Sequence, residues 1–213
     1  MKRLRLKKKQ SYLLFIFIAL IVLVFDISFL VKTNSSSGFN NISTIGAPSS
    51  KKPTVAAVAS YSVPPANPKY ITISAINVNA RVDEIYLNAN NQIEAPSNIY
   101  DSAWYNSSSL PGQKGAMFID GHVSSWTADG VFYNLKKLVA GEHIVITRGD
   151  NTKYTYVVNA VKIYPYNNVD MTQVLAPYTP NTAGLNLMTC TGQVIKNTSN
   201  FNERLVVYST LEA

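Results

Sequence analysis

Three side chains in this sequence could together perform acyl transfer, and each sits at the edge of an apolar run. Cys190, the only cysteine among 213 residues, ends the run Leu185-Asn186-Leu187-Met188-Thr189-Cys190. His122, one of two histidines, ends Ala116-Met117-Phe118-Ile119-Asp120-Gly121-His122. Arg204 follows the cysteine by 14 positions and opens Leu205-Val206-Val207-Tyr208. A thiol, an imidazole and a guanidinium at strand edges are the parts of a site that attacks an acyl carbon with sulfur, as cysteine proteases and transpeptidases do. The plain alternative for Cys190 is a small buried hydrophobe, since free cysteine is among the most buried residue types. The pattern predicts Cys190 and Arg204 at the same ends of two neighbouring antiparallel strands. The chain is expected to turn at Thr191-Gly192, with residues 191–203 as the connecting loop and His122 on a loop reaching over the pair.

The elements that must position these groups read as strands. Segments 70–74, 80–87, 116–119, 142–147, 153–163, 184–189 and 204–210 are rich in Val, Ile, Thr and Tyr. Within 153–158, Tyr154, Tyr156 and Val158 alternate onto one face. Asn90-Asn91, Pro111-Gly112, Ala140-Gly141 and Gly149-Asp150-Asn151 supply turns between them. Two short helices are expected, one over 131–139 (Phe132, Leu135 and Leu138) and one over 171–175, capped by Asp170. Seven or so short strands with one or two helical turns suggest a closed or nearly closed β-barrel, which leaves no exposed edges.

The N-terminus has a different composition. Residues 1–11 hold six cations (Lys2, Arg3, Arg5, Lys7, Lys8 and Lys9), and residues 12–31 are apolar with one charge, Asp26. Twenty helical residues span roughly 30 Å, the hydrocarbon thickness of a bilayer. The stretch ends Phe29-Leu30-Val31-Lys32, without the small residues of a cleavage site, so it reads as an uncleaved signal anchor. Asp26 lies near its far end, where the ~2.5–3.5 kcal/mol cost of a charge at mid-bilayer is reduced. The cations would stay cytoplasmic and the rest would be external. Residues 32–68, rich in Ser, Asn, Pro, Ala and Thr, read as a flexible linker. Residues 69–213 are long enough for one domain with a single core.

The net charge of +7 is largely this basic segment; beyond it and Asp26, 13 Lys and Arg face 11 Asp and Glu. No basic stripe remains to suggest a nucleic-acid partner. An external chain with one cysteine has no internal disulfide, which points to a reactive thiol or an intermolecular link.

At these positions the chain resembles a sortase. Leu187-Met188-Thr189-Cys190 resembles the family's T-L-x-T-C strand end, with Leu185 and Asn186 departing from its first positions. Gly121-His122-Val123 resembles the segment carrying the sortase histidine, and Arg204-Leu205-Val206-Val207-Tyr208 the strand opened by the sortase arginine. The resemblance covers roughly residues 70–213 and keeps the order His, Cys, Arg. Among subclasses the chain is most similar to class F, in Trp104-Tyr105, Leu110-Pro111-Gly112-Gln113-Lys114-Gly115 and Val131-Phe132-Tyr133-Asn134-Leu135. It departs at Ser124, where an acidic residue is common, and at Thr191-Gly192. The resemblance implies an eight-stranded sortase-type barrel behind the single N-terminal transmembrane helix. It implies cleavage of an L-P-x-T-G-like sorting signal on surface proteins and transfer to an amine of peptidoglycan or lipid II.

For that chemistry, Cys190 is the nucleophile, a cation nearby making its thiolate available near neutral pH. His122 protonates the leaving amine, and Arg204 supplies fixed donors to the oxyanion. The plain alternatives are a loop histidine and a solvated strand-edge cation. His143, after a turn, reads as an edge residue, and Arg148 as solvated. Asp120 is left out of the site, because side-chain alternation along a strand gives no ground for a triad through it. Trp104, Tyr105 and Trp126 could line a peptide groove or belong to the core. Two isolated histidines and one cysteine build no structural zinc site, and no Asp-x-Asp-x-Asp-Gly calcium loop occurs, so neither metal nor cofactor is expected. A monomer is expected, although no feature specifies the oligomeric state. A hydrolase with the same three residues and a non-catalytic, anchored wall-binding β domain are the other readings.

Overall fold

The structure, a computed structural model, describes residues 47–213. The basic segment, the apolar stretch 12–31 and the first part of 32–68 lie outside the described residues. Among the described residues no helix is long and apolar enough to cross a membrane.

Eight strands form the domain: β1 (Pro68–Ile73), β2 (Val78–Ile85), β3 (Ser102–Tyr105), β4 (Gly115–Gly121), β5 (His143–Arg148), β6 (Lys153–Pro165), β7 (Ala183–Val194) and β8 (Phe201–Leu211). They close into a barrel in the order β1-β2-β3-β4-β7-β8-β6-β5, with β5 returning to β1. The pairs β2–β3 and β4–β7 are parallel, and the other six are antiparallel. A parallel pair needs a long crossover, and that between β4 and β7 contains β5, β6 and a short helix.

Strand alternation explains the two faces. On β4, β7 and β8 the inward residues Met117, Ile119, Leu185, Leu187, Leu205 and Val207 belong to the fully apolar barrel core. The outward residues Phe118, Met188, Val206 and Tyr208 form a second apolar cluster with Val174 and Leu175 from the β6–β7 connection. Each fully buried side chain of this size contributes roughly 1.5–3 kcal/mol, so both faces of these strands are anchored.

Four details differ from the sequence expectation. β3 is additional: Ser102, Ala103 and Trp104 are all buried, so a four-residue strand covered on both faces shows no alternation. The helix over 131–139 is instead a pair of tight turns containing a 3-10 helix, Leu135–Lys137. Phe132, Leu135 and Leu138 are buried as expected, but their spacing of three suits i→i+3 bonding, seen from Leu135 N–H to Phe132 O (3.0 Å) and Leu138 N–H to Leu135 O (3.2 Å). β7 does not turn at Thr191-Gly192 but runs on to Val194 through an irregular register. Gly192, at φ +84°, accommodates a bulge there rather than a reversal.

The fourth difference is the strap of residues 47–67, expected as part of the flexible linker. It carries helix α1 (Val55–Ala59), capped by the Thr54 side chain. Tyr61 Oη donates to Val82 O at 2.6 Å, and Tyr70 Oη on β1 donates to Val58 O at 2.8 Å. Two tyrosines spend their polar tips on opposite sides of this contact, so the ordered domain begins upstream of residue 69. Helix α2 (Met171–Val174) forms where expected, with Asp170 Oδ1 accepting from Thr172 N–H at 2.9 Å.

Candidate active site

The antiparallel ladder places Cys190 of β7 directly opposite Arg204 of β8. On the other side of β7, the parallel ladder pairs Asp120 of β4 with Met188. His122 follows directly after the end of β4, two residues beyond Asp120. Thr189 Oγ1 donates to Gly121 O at 2.7 Å and ties the two strands at that point. Gly121 has to lack a Cβ, because one would lie 2.4 Å from the Phe132 ring packed beneath it. Cys190 and Arg204 thus form one rung on the outer face of the barrel, and His122 lies just past the end of the neighbouring β4. Cys190 lies within a continuing hairpin ladder rather than at its end.

Arg204 is braced for a fixed direction. Its Nη1 donates to Phe201 O (3.0 Å) and Glu203 O (2.9 Å), and its guanidinium lies 5.9 Å from the Tyr166 ring centroid. Among the described residues Nε and Nη2 take no protein hydrogen bond, so two donor groups are left for a ligand. Burial pushes the Cys190 thiol up; Arg204 opposes this and Asp120 adds to it. The expectation that a neighbouring cation makes the thiolate readily available is corrected here, because desolvation outweighs the arginine.

Asp120 belongs to this group, contrary to the sequence reading. It stands two residues before His122, and alternation therefore puts both on the same face. Burial pushes its carboxyl up to about 7, against the lowering effects of the Gly121 backbone N–H and Arg204. That i, i+2 spacing was available in the sequence.

Beyond this pair the outer face is apolar and covered: Phe118, Val206 and Tyr208 are buried with Val174, and Met188, Tyr105 and Leu175 pack against them. Asn186, buried on the same face of β7, donates from Nδ2 to Val174 O (2.7 Å) and Ala176 O (2.8 Å), pinning the end of α2. On β7's hairpin side a recess of about 170 Å³ opens beside Cys190, between Ser124, Tyr133 and Lys136 on one wall and Thr191, Gly192 and Phe201 on the other.

The remaining candidates separate clearly. His143 is exposed and lies 3.5 Å from Glu212. Trp104 is core, Tyr105 packs against the buried outer cluster, and Trp126 is 84% exposed. Arg148, expected to be solvated, is held by Asp150 (3.2 Å), Pro65 O and Tyr154 Oη. Among the described residues no three metal-ligating side chains cluster.

A closed eight-stranded barrel with a cysteine and an arginine in register on its outer face has the architecture of the sortases. Residues 71–212 match the sortase domain, and the chain belongs to the sortase family, whose members are cysteine transpeptidases. Solved structures agree on the fold. Sortase D5 transpeptidase of Clostridium perfringens superposes with a TM-score of 0.50 at 22% identity, over 69% of this chain and 79% of that one. Sortase A of Corynebacterium diphtheriae gives 0.53 at 22% identity, over 69% of this chain and 61% of that one. Sortase C1 of Streptococcus agalactiae gives 0.54 at 21%, over 70% and 68%. No curated protein sequence matches.

Proposed function

We propose that this chain is a membrane-anchored cysteine transpeptidase of the class F type. It cleaves an L-P-x-T-G-like sorting signal through a thioacyl-enzyme and passes the protein to a cell-wall amine. The observation that carries the reading is the pairing of Cys190 with Arg204, with His122 just past the end of β4, the strand on the other side of β7. The recess beside Cys190 opens the thiol to the Thr carbonyl of such a signal.

The steps follow from the protonation states. His122 takes the Sγ proton as sulfur attacks the Thr carbonyl carbon. The oxygen becomes an oxyanion and receives the free N–H groups of Arg204. His122 then returns the proton to the glycine nitrogen, the C–N bond breaks, and a thioester remains on Cys190. An acceptor amine, approaching through the recess by Ser124 and Gly192, attacks the thioester and yields its proton to His122. The C–S bond breaks, the new amide departs, and the imidazolium reprotonates the thiolate.

The class F assignment rests on the motifs around Trp104, residues 110–115 and residues 131–135. The anchor rests on the apolar residues 12–31, with residues 1–11 cytoplasmic and the domain external. Protease added to intact cells should digest the domain and leave a membrane fragment; a mature N-terminus beyond residue 31 would refute the anchor. The reaction is tested by incubating the chain with a sorting-signal peptide library and a set of amines. A Cys190-linked acyl-enzyme resolved by an amine supports transpeptidation. Resolution by water alone would make the chain a peptidase, and no adduct would leave a non-catalytic domain.

A further inference from the structure

His122 is held by a series of contacts that leads back to the N-terminal strap. Its Nε2 lies 2.8 Å from the carbonyl oxygen of Pro96, in the β2–β3 connection. A carbonyl oxygen only accepts, so Nε2 carries the proton and the neutral ring has its lone pair on Nδ1. Pro96 is buried, and the residues after it are fixed from two directions. From the strap, Ser49 N–H donates to Ser97 O (2.8 Å), Ile99 N–H donates to Ser49 O (3.0 Å), and Asn98 Nδ2 donates to Lys51 O (3.0 Å). Ser49 and Asn98 form a parallel bridge. From the connection after β4, Val131 N–H donates to Ile99 O (2.7 Å), while Ser50 Oγ donates to Ser125 Oγ (3.2 Å). The strap is therefore knitted to both segments that flank the imidazole, although residues 49–51 do not line the recess beside Cys190.

We infer that Pro96 and strap residues 49–51 are positioning elements for His122, holding the Nε2–H tautomer so that Nδ1 is the atom that moves the proton. For the steps served by Nδ1 this rests on the transpeptidase reading; for the tautomer it rests on the hydrogen bonds alone. Proton transfer to a leaving amine tolerates little misplacement, and a ring free to turn loses that alignment.

Two full-chain variants test this: Ser49→Pro, which removes the donor to Ser97, and Asn98→Asp, which removes the donor to Lys51 but keeps the acceptor for Tyr100 N–H. Acyl-enzyme formation is followed with a sorting-signal peptide and with the same acyl sequence as a thioester, whose leaving thiolate needs no proton. The variants should acylate about ten-fold more slowly from the peptide and by a smaller factor from the thioester, for which His122 has only to take the Sγ proton. Equal loss on both substrates, or loss on neither, would overturn the positioning role. Nitrogen NMR of the histidines, assigned with His143→Gln, should show protonated Nε2 and unprotonated Nδ1 in the neutral His122 ring, with tautomer mixing in the variants. A native Nδ1–H tautomer would also overturn it. A chain that shows the Nε2–H tautomer, loses it in the variants and acylates with neither substrate would uphold the positioning and sink the transpeptidase reading.

Discussion

Strands β4, β7 and β8 have an inner and an outer face, and the two faces solve opposite problems with the same backbone. Inside, Met117, Ile119, Leu185, Leu187, Leu205 and Val207 pack with no polar partner to satisfy. Outside, the same strands present Asp120, Asn186, Cys190 and Arg204 among Phe118, Met188, Val206 and Tyr208, with His122 just past the end of β4. The outer face bears the costs of function. Asn186 Oδ1 is buried without a partner among the described residues, and the Asp120 carboxyl is pushed up to about 7. An unsatisfied buried acceptor costs about 1–3 kcal/mol. The inner face supplies the rigidity that tolerates this, so changes inside should act on stability and changes outside on chemistry.

The largest expected effect falls on the outer rung. Cys190→Ala should abolish acyl-enzyme formation, seen as loss of the adduct by mass spectrometry. Arg204→Ala should lower turnover by about 10²–10³, the typical value of one oxyanion donor, and Arg204→Lys should not restore it, since an ammonium lacks the planar fork. His122→Ala should leave only traces of turnover. A Cys190→Ala chain that still turned over peptide would end the proposed mechanism.

The inner face should respond differently. Leu187→Ala, one residue along β7 from Met188 but facing inward, should cost about 2–5 kcal/mol in denaturant unfolding. Cys190→Ala should shift the unfolding midpoint far less. Comparable destabilisation by both would erase the distinction between the faces.

A smaller effect sharpens the electrostatics of the outer face. Asp120→Asn removes an anion that helps raise the Cys190 thiol, so the pH midpoint of iodoacetamide alkylation should move down. Stability has a defined sign as well. The folded carboxyl titrates near 7, above an unfolded value of about 3.9. Its protonated form therefore stabilises the fold fully below about pH 4, and that contribution is lost as pH rises to 7. The Asn variant should gain stability relative to the native chain across this window. A thermal-unfolding difference that stayed flat from pH 4 to 7 would contradict it. The smallest effect is reserved for His143→Ala, whose exposed side chain should leave turnover unchanged; a dead variant would transfer the acid role to His143.

Much of the molecule was determined by sequence alone where the information is local. Period-two alternation marks the start of β6, where Tyr154, Tyr156 and Val158 share a face, and Asp170 caps α2 because a carboxylate there reaches a free N–H two residues on. The unique thiol, two histidines and few domain arginines also restrict the chemistry before any fold is known. Tertiary structure decided what depends on contacts between distant segments. Burial on both faces erased the alternation of β3. Hydrogen bonds from Tyr61 and Tyr70 drew the strap onto the barrel, although its composition reads as a linker. The parallel β4–β7 register put Asp120 beside Met188, with His122 just past the end of β4. Desolvation at that junction, rather than the presence of an arginine, sets the resting state of the thiol. Residue types and short-range spacing lie in the chain itself, whereas register and burial exist only once the barrel closes.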